Sequence, residues 1–201
     1  MPVLRRSARE IEIKLRVANL DDAIRQLRRL RAKTEGRVLE RNTLLDTPGS
    51  DFRTRKRLLR VRVETPAPSP MLPGGSKRTV VTSKWPAPVS PGTHYKQNFE
   101  REVPLRSSRQ WASAFRSLGL RPAFRYEKFR TEFRLPGLRL DLDETPVGVF
   151  LELEGSPRAI DRAARSLGFS RRDYIRDTYW DLYAADCRRR KRFPKNMLFE
   201  H

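Results

Sequence analysis

Charged side chains recur in this sequence at every second position. Glu10/Glu12/Lys14, Arg60/Arg62, Glu100/Glu102, Lys128/Arg130, Asp141/Asp143 and Glu152/Glu154 follow that spacing, and Lys84 stands alone in its run. Carboxylates grouped without histidine or cysteine are hard oxygen donors suited to Mg²⁺ or Mn²⁺. Grouped Arg and Lys suit phosphate oxygens, and Arg adds two-pronged geometry. Brought together, the two sets suit a metal–polyphosphate complex. Phosphoryl chemistry needs charge neutralisation and in-line positioning more than covalent help. Competing chemistries lack their parts. The only histidines are His94 and His201 and the only cysteine is Cys187, which excludes a Cys/His zinc site, an intrachain disulfide and a His-assisted nucleophile. Gly74-Gly75 is not followed by the residues of a phosphate-binding GK[ST] loop.

Period-two alternation predicts strands, because successive strand side chains point to opposite faces. It covers 10–17, 38–47, 58–64, 78–85, 95–105, 125–134, 138–143 and 149–154. Helical spacing of apolar residues predicts helices over 20–31, 107–118 and 157–167, and a last amphipathic segment over 175–183. Strand runs broken by helices indicate an α+β fold with a mostly antiparallel sheet. One sheet face is then apolar (Ile11/Ile13/Leu15, Leu140/Leu142, Leu151/Leu153) and is to be covered by the helices. The other face is charged. It either meets water as surface ion pairs, each worth little, or lines the lumen of a closed eight-stranded barrel. Like charges two residues apart repel and need a compensating cation. The same habit on six strands favours the lumen.

The chain has 201 residues with 44 Lys+Arg against 24 Asp+Glu, a formal charge of +20. That excess points to nucleic acid, an anionic membrane or polyphosphate as partner. Residues 186–201 form a basic C-terminal tail, whose run Arg188–Arg192 reads as a solvated, mobile terminus; docking on RNA, DNA or acidic lipid is the second reading. Residues 65–77 are a Pro/Gly-rich insertion. No run approaches the roughly 18 apolar residues of a membrane span, no secretory signal opens the chain, and lone-cysteine usage fits a reducing cytoplasm.

Seven ordered motifs carry a resemblance. Glu10–Lys14 has the form ExExK, Asn42–Pro48 is similar to YFDTP, Leu59–Arg62 is LRxR and Thr82–Pro86 is TxKxP. Glu100–Glu102 closes an RxExE-like run, Glu127–Arg130 is EKxR, and Leu140–Glu154 is similar to LDxxxxLGxFxExE. In this order they resemble the CYTH domains, or triphosphate tunnel metalloenzymes, which include class IV adenylate cyclases, thiamine triphosphatases and inorganic tripolyphosphatases. The resemblance covers residues 8–185 and implies one domain, 1–185: an eight-stranded antiparallel tunnel with helices packed outside. It implies Glu10, Glu12, Glu152 and Glu154 as ligands of Mg²⁺ or Mn²⁺, with Glu100, Glu102, Asp141 and Asp143 as further candidates. It implies Lys14, Arg60, Arg62, Lys84, Lys128 and Arg130 around a triphosphate, and Lys14 with Glu12 as catalytic residues. The sequence looks most like class IV adenylate cyclases, which convert ATP to cyclic AMP and pyrophosphate. The alternatives are a tripolyphosphatase or other triphosphate phosphohydrolase of the same fold, or a non-catalytic binder of polyphosphate or RNA. A weak nucleic-acid contact through the tail and a homodimer complete the expectations. Some positions depart from the pattern. Asn98 replaces an Arg, Asp177 replaces a Lys with Arg176 beside it expected to point elsewhere, and Leu44 and Leu45 replace aromatic residues, which disfavours thiamine triphosphate.

Overall fold

The computed structural model describes residues 8–105 and 110–200. Its strands are β1 (Ala8–Val17), β2 (Lys33–Asp46), β3 (Leu58–Pro66), β4 (Arg78–Pro86), β5 (Lys96–Leu105), β6 (Arg121–Leu135), β7 (Leu138–Thr145) and β8 (Gly148–Gly155). The helices are α1 (Leu20–Arg29), the single turn α2 (Asp51–Thr54), α3 (Gln110–Ser117), α4 (Pro157–Ser166) and α5 (Tyr179–Arg189). All eight strands pair antiparallel and close into a barrel in the order β1-β5-β4-β3-β2-β6-β7-β8.

Closure inverts the usual plan, since the apolar core lies outside the barrel. Ile13, Leu15, Phe133, Leu140, Leu142, Leu151 and Leu153 face outward and are buried under Ile24 and Leu27 of α1 and Ile160 and Ala164 of α4. Each large side chain contributes roughly 1.5–3 kcal/mol on burial. Caps fix where the two covering helices begin: Asn19 accepts from the Asp22 N–H and Ser156 from the Ala159 N–H. Among the described residues none of α3 belongs to this apolar cluster, although its pattern predicts a covering helix. Its Trp111 and Phe115 rings lie 6.0 Å apart at a tilt of 56°, and Leu118 beyond it is 72% exposed; residues 107–109 of the expected helix lie outside the described residues.

Other boundaries move for local reasons. The expected segment 175–183 divides at Thr178, which caps α5 in a reciprocal pair with Asp181. Before that cap, Ile175 is extended and exchanges two backbone hydrogen bonds of 2.9 Å with Lys14. The C-terminal run is not a free terminus. Arg188 and Arg189 belong to α5, and although the side chains of 188–192 are exposed, the chain then returns to the barrel. Met197 is fully buried, donates to the Arg125 carbonyl at 3.0 Å and accepts from the Glu127 N–H at 2.9 Å. The Pro/Gly-rich loop is likewise strapped to β2. Arg37 donates to the Pro73 carbonyl at 2.7 Å and accepts from Ala67 and Gly75, while Leu72 enters the outer core. Gly36 makes this approach feasible: its φ is +128°, and a Cβ there would lie 2.7 Å from the Gly75 Cα. Among the described residues no helix is long and apolar enough to cross a membrane.

Candidate active site

The barrel encloses a cavity of about 650 Å³. Every charged residue singled out from the sequence lines it except Asp143, which lies behind the wall under Tyr179. Alternation therefore does turn these side chains inward, into one shared space.

The cation-rich wall is built by β2, β3 and β6. Glu40, fully buried, lies 3.6 Å from Arg62, 3.5 Å from Lys128 and 3.6 Å from Arg130. Burial alone would raise its carboxyl, but Lys128, Arg130, Arg62 and Arg60 together hold it far below the usual range. Arg130 also reaches Asp141 at 2.8 Å and Asp143 at 2.6 Å and pairs with Glu152, and Lys128 reaches Asp143 at 2.8 Å. Arg62 pairs with Glu64 and Glu102, both at 2.9 Å. Arg60 donates to the Tyr126 hydroxyl at 3.1 Å and to Thr82 at 3.3 Å. Tyr179 enters from α5, donates to Asp143 at 2.6 Å, and sets its ring 5.3 Å from the Lys14 ammonium and 4.9 Å from that of Lys128.

The acid-rich wall is built by β1, β5 and β8. Lys14 lies 3.1 Å from Glu152 and 3.8 Å from Glu12. Burial disfavours its charge, but these two carboxylates outweigh that and raise its pKa. Lys84 reaches Glu10 at 2.6 Å and also pairs with Glu100; Lys96 reaches Glu12 at 2.8 Å. Glu12 and Glu154 stand directly opposite each other on β1 and β8. Burial raises the Glu10 carboxyl to about 7, with Glu12 and Glu100 adding to the effect against Lys84. Burial also raises Glu154, aided by Asp141 and Glu100 and opposed by Arg139 at 3.9 Å.

Among the described residues no three acidic, His or Cys groups already converge as a metal cage. The donor chemistry nevertheless fits a hard divalent cation. Glu12 and Glu154 are carboxylates directly opposed across β1 and β8, and burial, with Glu12 and Glu100 adding to it, raises the carboxyl of Glu10 beside them. Glu10, Glu12 and Glu154 are the residues that would hold such an ion. Glu152, Glu100, Glu102, Asp141 and Asp143, the other expected ligands, each pair with Lys14, Lys84 or an arginine, as Glu10 pairs with Lys84 and Glu12 with Lys96.

Several residues in the cavity wall or buried behind it escape a sequence reading confined to charge doublets. Glu40, Glu64, Lys96 and Arg139 all continue the same inward phase on their strands and are found by extending the alternation. Tyr179 and Arg176 come from outside the barrel, where no strand period marks them. Arg176 does line the cavity, contrary to the expected orientation, and donates to the Thr93 carbonyl at 2.8 Å. Asp46 proves to be a builder of the mouth: its carboxylate accepts from the backbone N–H of Thr47, Phe52 and Arg53 at 2.8, 2.9 and 3.1 Å and so anchors α2. That mouth has an apolar rim of Leu44, Leu45, Phe52, Phe124 and Trp180. The Phe124 and Trp180 rings meet edge-on at 4.8 Å, and Arg53 lies over Trp180 at 4.7 Å.

The CYTH domain model matches residues 8–179. The chain belongs to the CYTH domain family. Solved structures share the tunnel fold of this CYTH protein at low identity. A "putative adenylate cyclase" from Vibrio parahaemolyticus superposes with a TM-score of 0.71 at 17% identity, over 88% of this chain and 98% of that one. The PH1012 protein from Pyrococcus horikoshii does so with a TM-score of 0.68 at 23% identity, over 86% and 98%. A "putative adenylyl cyclase" from Hippeastrum, reported to have a dominant triphosphatase activity, superposes with a TM-score of 0.57 at 17% identity, over 92% and 97%. No curated protein matches the sequence.

Proposed function

We propose that this CYTH protein is a divalent-metal-dependent enzyme that acts on a triphosphate inside the tunnel, converting ATP to cyclic AMP and pyrophosphate. One observation carries the reading: Lys14, Arg60, Arg62, Lys84, Lys128 and Arg130, drawn from four strands, share one enclosed cavity with an acid-rich opposite wall. Three linked phosphates carry a dense negative charge, and a preorganised set of buried cations is what neutralises it without reorganisation. The apolar rim at the mouth supports a nucleoside over a bare inorganic triphosphate, because the partly exposed Phe52 and Trp180 offer a base apolar surface there.

In this reading the ribose 3′-hydroxyl oxygen attacks the α-phosphorus and gives up its proton to solvent, the bond from that phosphorus to the bridging oxygen breaks, and pyrophosphate leaves with the electron pair. Arg60, Arg62, Lys128 and Arg130 take up the charge of the departing pyrophosphate. Lys14, kept protonated by Glu12 and Glu152, steadies the charge on the reacting phosphoryl oxygens. Mg²⁺ or Mn²⁺, held by Glu10, Glu12 and Glu154, supplies Lewis-acid polarisation of phosphate oxygens when bound.

Hydrolysis of the triphosphate by the same tunnel is the second reading, favoured by the Hippeastrum neighbour in which a triphosphatase activity is dominant. The test supplies purified protein with ATP, tripolyphosphate or thiamine triphosphate and Mg²⁺ or Mn²⁺, and follows cyclic AMP, pyrophosphate and phosphate. Cyclic AMP with equimolar pyrophosphate is the expected result. Phosphate without cyclic AMP selects hydrolysis, and metal-independent binding without turnover sinks both. Glu12→Gln is expected to lower turnover at least a hundredfold, an effect on the order of 3 kcal/mol in the barrier; a variant retaining full rate removes Glu12 from the machinery.

A further inference from the structure

We propose that Lys96 is a tethered cation that competes with the divalent metal for Glu12 and so sets the metal affinity of the tunnel. The inference rests on the metal-dependent reading above and concerns a residue that lies outside the recurring charge doublets. Lys96, Glu12, Glu154 and Arg139 form one cross-strand row over β5, β1, β8 and β7, each directly opposite the next. The two carboxylates at the centre of the row repel each other, and each has its nearest cation on its outer side. Arg139 stands 3.9 Å from Glu154 and is shared with Glu132 and Asp141. Lys96 stands 2.8 Å from Glu12, its one carboxylate partner among the described residues. Lys14 also approaches Glu12, but at 3.8 Å, and is closer to Glu152 at 3.1 Å. The Lys96 ammonium therefore occupies Oε1 of Glu12 and sets a positive charge where an incoming cation would meet that carboxylate.

The geometry of exchange follows. Lys96 is the first residue of β5, and its side chain is 25% exposed, whereas Lys14 is 3% exposed. A lysine has a flexible stem and a compact charge, so Lys96 can leave Glu12 for water or for a phosphate oxygen while Lys14 stays in place. Without metal, Lys96 keeps the Glu12/Glu154 opposition tolerable; with metal, that task passes to the ion.

Manganese binding to the substrate-free protein tests this directly, by calorimetric titration or by the loss of free-ion electron paramagnetic resonance signal. Lys96→Met and Lys96→Gln are expected to bind Mn²⁺ at least about tenfold more tightly than the native protein, because a unit charge a few ångströms from the ion is removed. Lys96→Arg, which keeps the charge and the reach, is expected to bind near the native level. Thermal melts supply the second readout: both neutral variants are expected to be less stable than the native protein without metal, and to gain more stability from Mn²⁺. Equal or weaker Mn²⁺ binding in both neutral variants, with binding by the native protein, overturns this inference and leaves metal dependence standing. No Mn²⁺ binding by native or variant protein overturns both. Binding by the neutral variants alone supports the competition in its strongest form.

Discussion

Glu40 is where a single side chain decides the tunnel's electrostatics. It is fully buried, and Arg62, Lys128 and Arg130 all approach it within 3.6 Å. One of its oxygens has no hydrogen-bond partner, so it works chiefly as a fixed negative charge among cations. Glu40→Gln keeps the shape and removes the charge. Breaking a buried ion cluster from one side leaves cations uncompensated, and the expected loss is about 3 kcal/mol in urea denaturation. Tripolyphosphate with Mg²⁺ supplies the missing anion, so the ligand is expected to stabilise the variant more than the native protein. A variant as stable as the native protein without ligand would show that Glu40 does not compensate the wall. The sequence held a trace of this residue, since Glu40 keeps the alternate phase of Asn42 on β2. It belongs to no charge doublet, however, and its three partners come from strands 20 or more positions away.

Asp161 shows how an element outside the barrel reaches the site. It lies on α4, buried, and accepts from the Tyr95 hydroxyl at 2.7 Å, the Tyr174 hydroxyl at 2.9 Å and Arg171 at 2.5 Å. It so ties α4 to the segment before β5 and to the stretch leading to Ile175, whose backbone bonds hold Lys14, and to Arg176 at the cavity wall. Burial raises its carboxyl, but the hydrogen bonds from Arg171, Tyr95 and Tyr174 outweigh this, and the net shift is below the ordinary value of 3.8. A carboxyl depressed in the folded state stabilises fully above its unfolded pKa, and that stability is lost as pH falls through the folded value. Native protein is therefore expected to lose stability below about pH 4 more steeply than Asp161→Asn, which is less stable than native at neutral pH but has the flatter acid limb. Parallel acid limbs in pH-dependent melts would remove Asp161 from this role. None of this is legible locally: Tyr95, Asp161 and Tyr174 sit in three separate stretches of the chain, and in sequence the aspartate is one polar position on an amphipathic helix.

At the scale of the whole molecule, period two made the strands and their charged face readable, and the face could be completed into a lumen only by closure. Closure depends on β1 pairing with β5 on one side and β8 on the other, contacts that no local pattern encodes. The same gap hid the end of the chain, where buried Met197 sits in a run dominated by Arg and Lys. The closed barrel also concentrates part of the +20 charge around its cavity, so a bound polyanion relieves repulsion and fills the site at once. Ligand at a hundred times its dissociation constant stabilises the native state by about 2.7 kcal/mol. In a domain of this size each kcal/mol moves the melting midpoint by about 2–4 °C, so tripolyphosphate with Mg²⁺ is expected to raise it by roughly 5–10 °C. Monovalent salt at matched ionic strength screens the exposed charges but cannot occupy the lumen, and is expected to give a smaller rise. Arg60→Ala, which removes a lumen cation, is expected to cut the ligand-induced rise at fixed ligand concentration and leave the salt effect unchanged. Equal rises from the two additives, undiminished in Arg60→Ala, would mean that the polyanion acts on the outer surface and not in the tunnel.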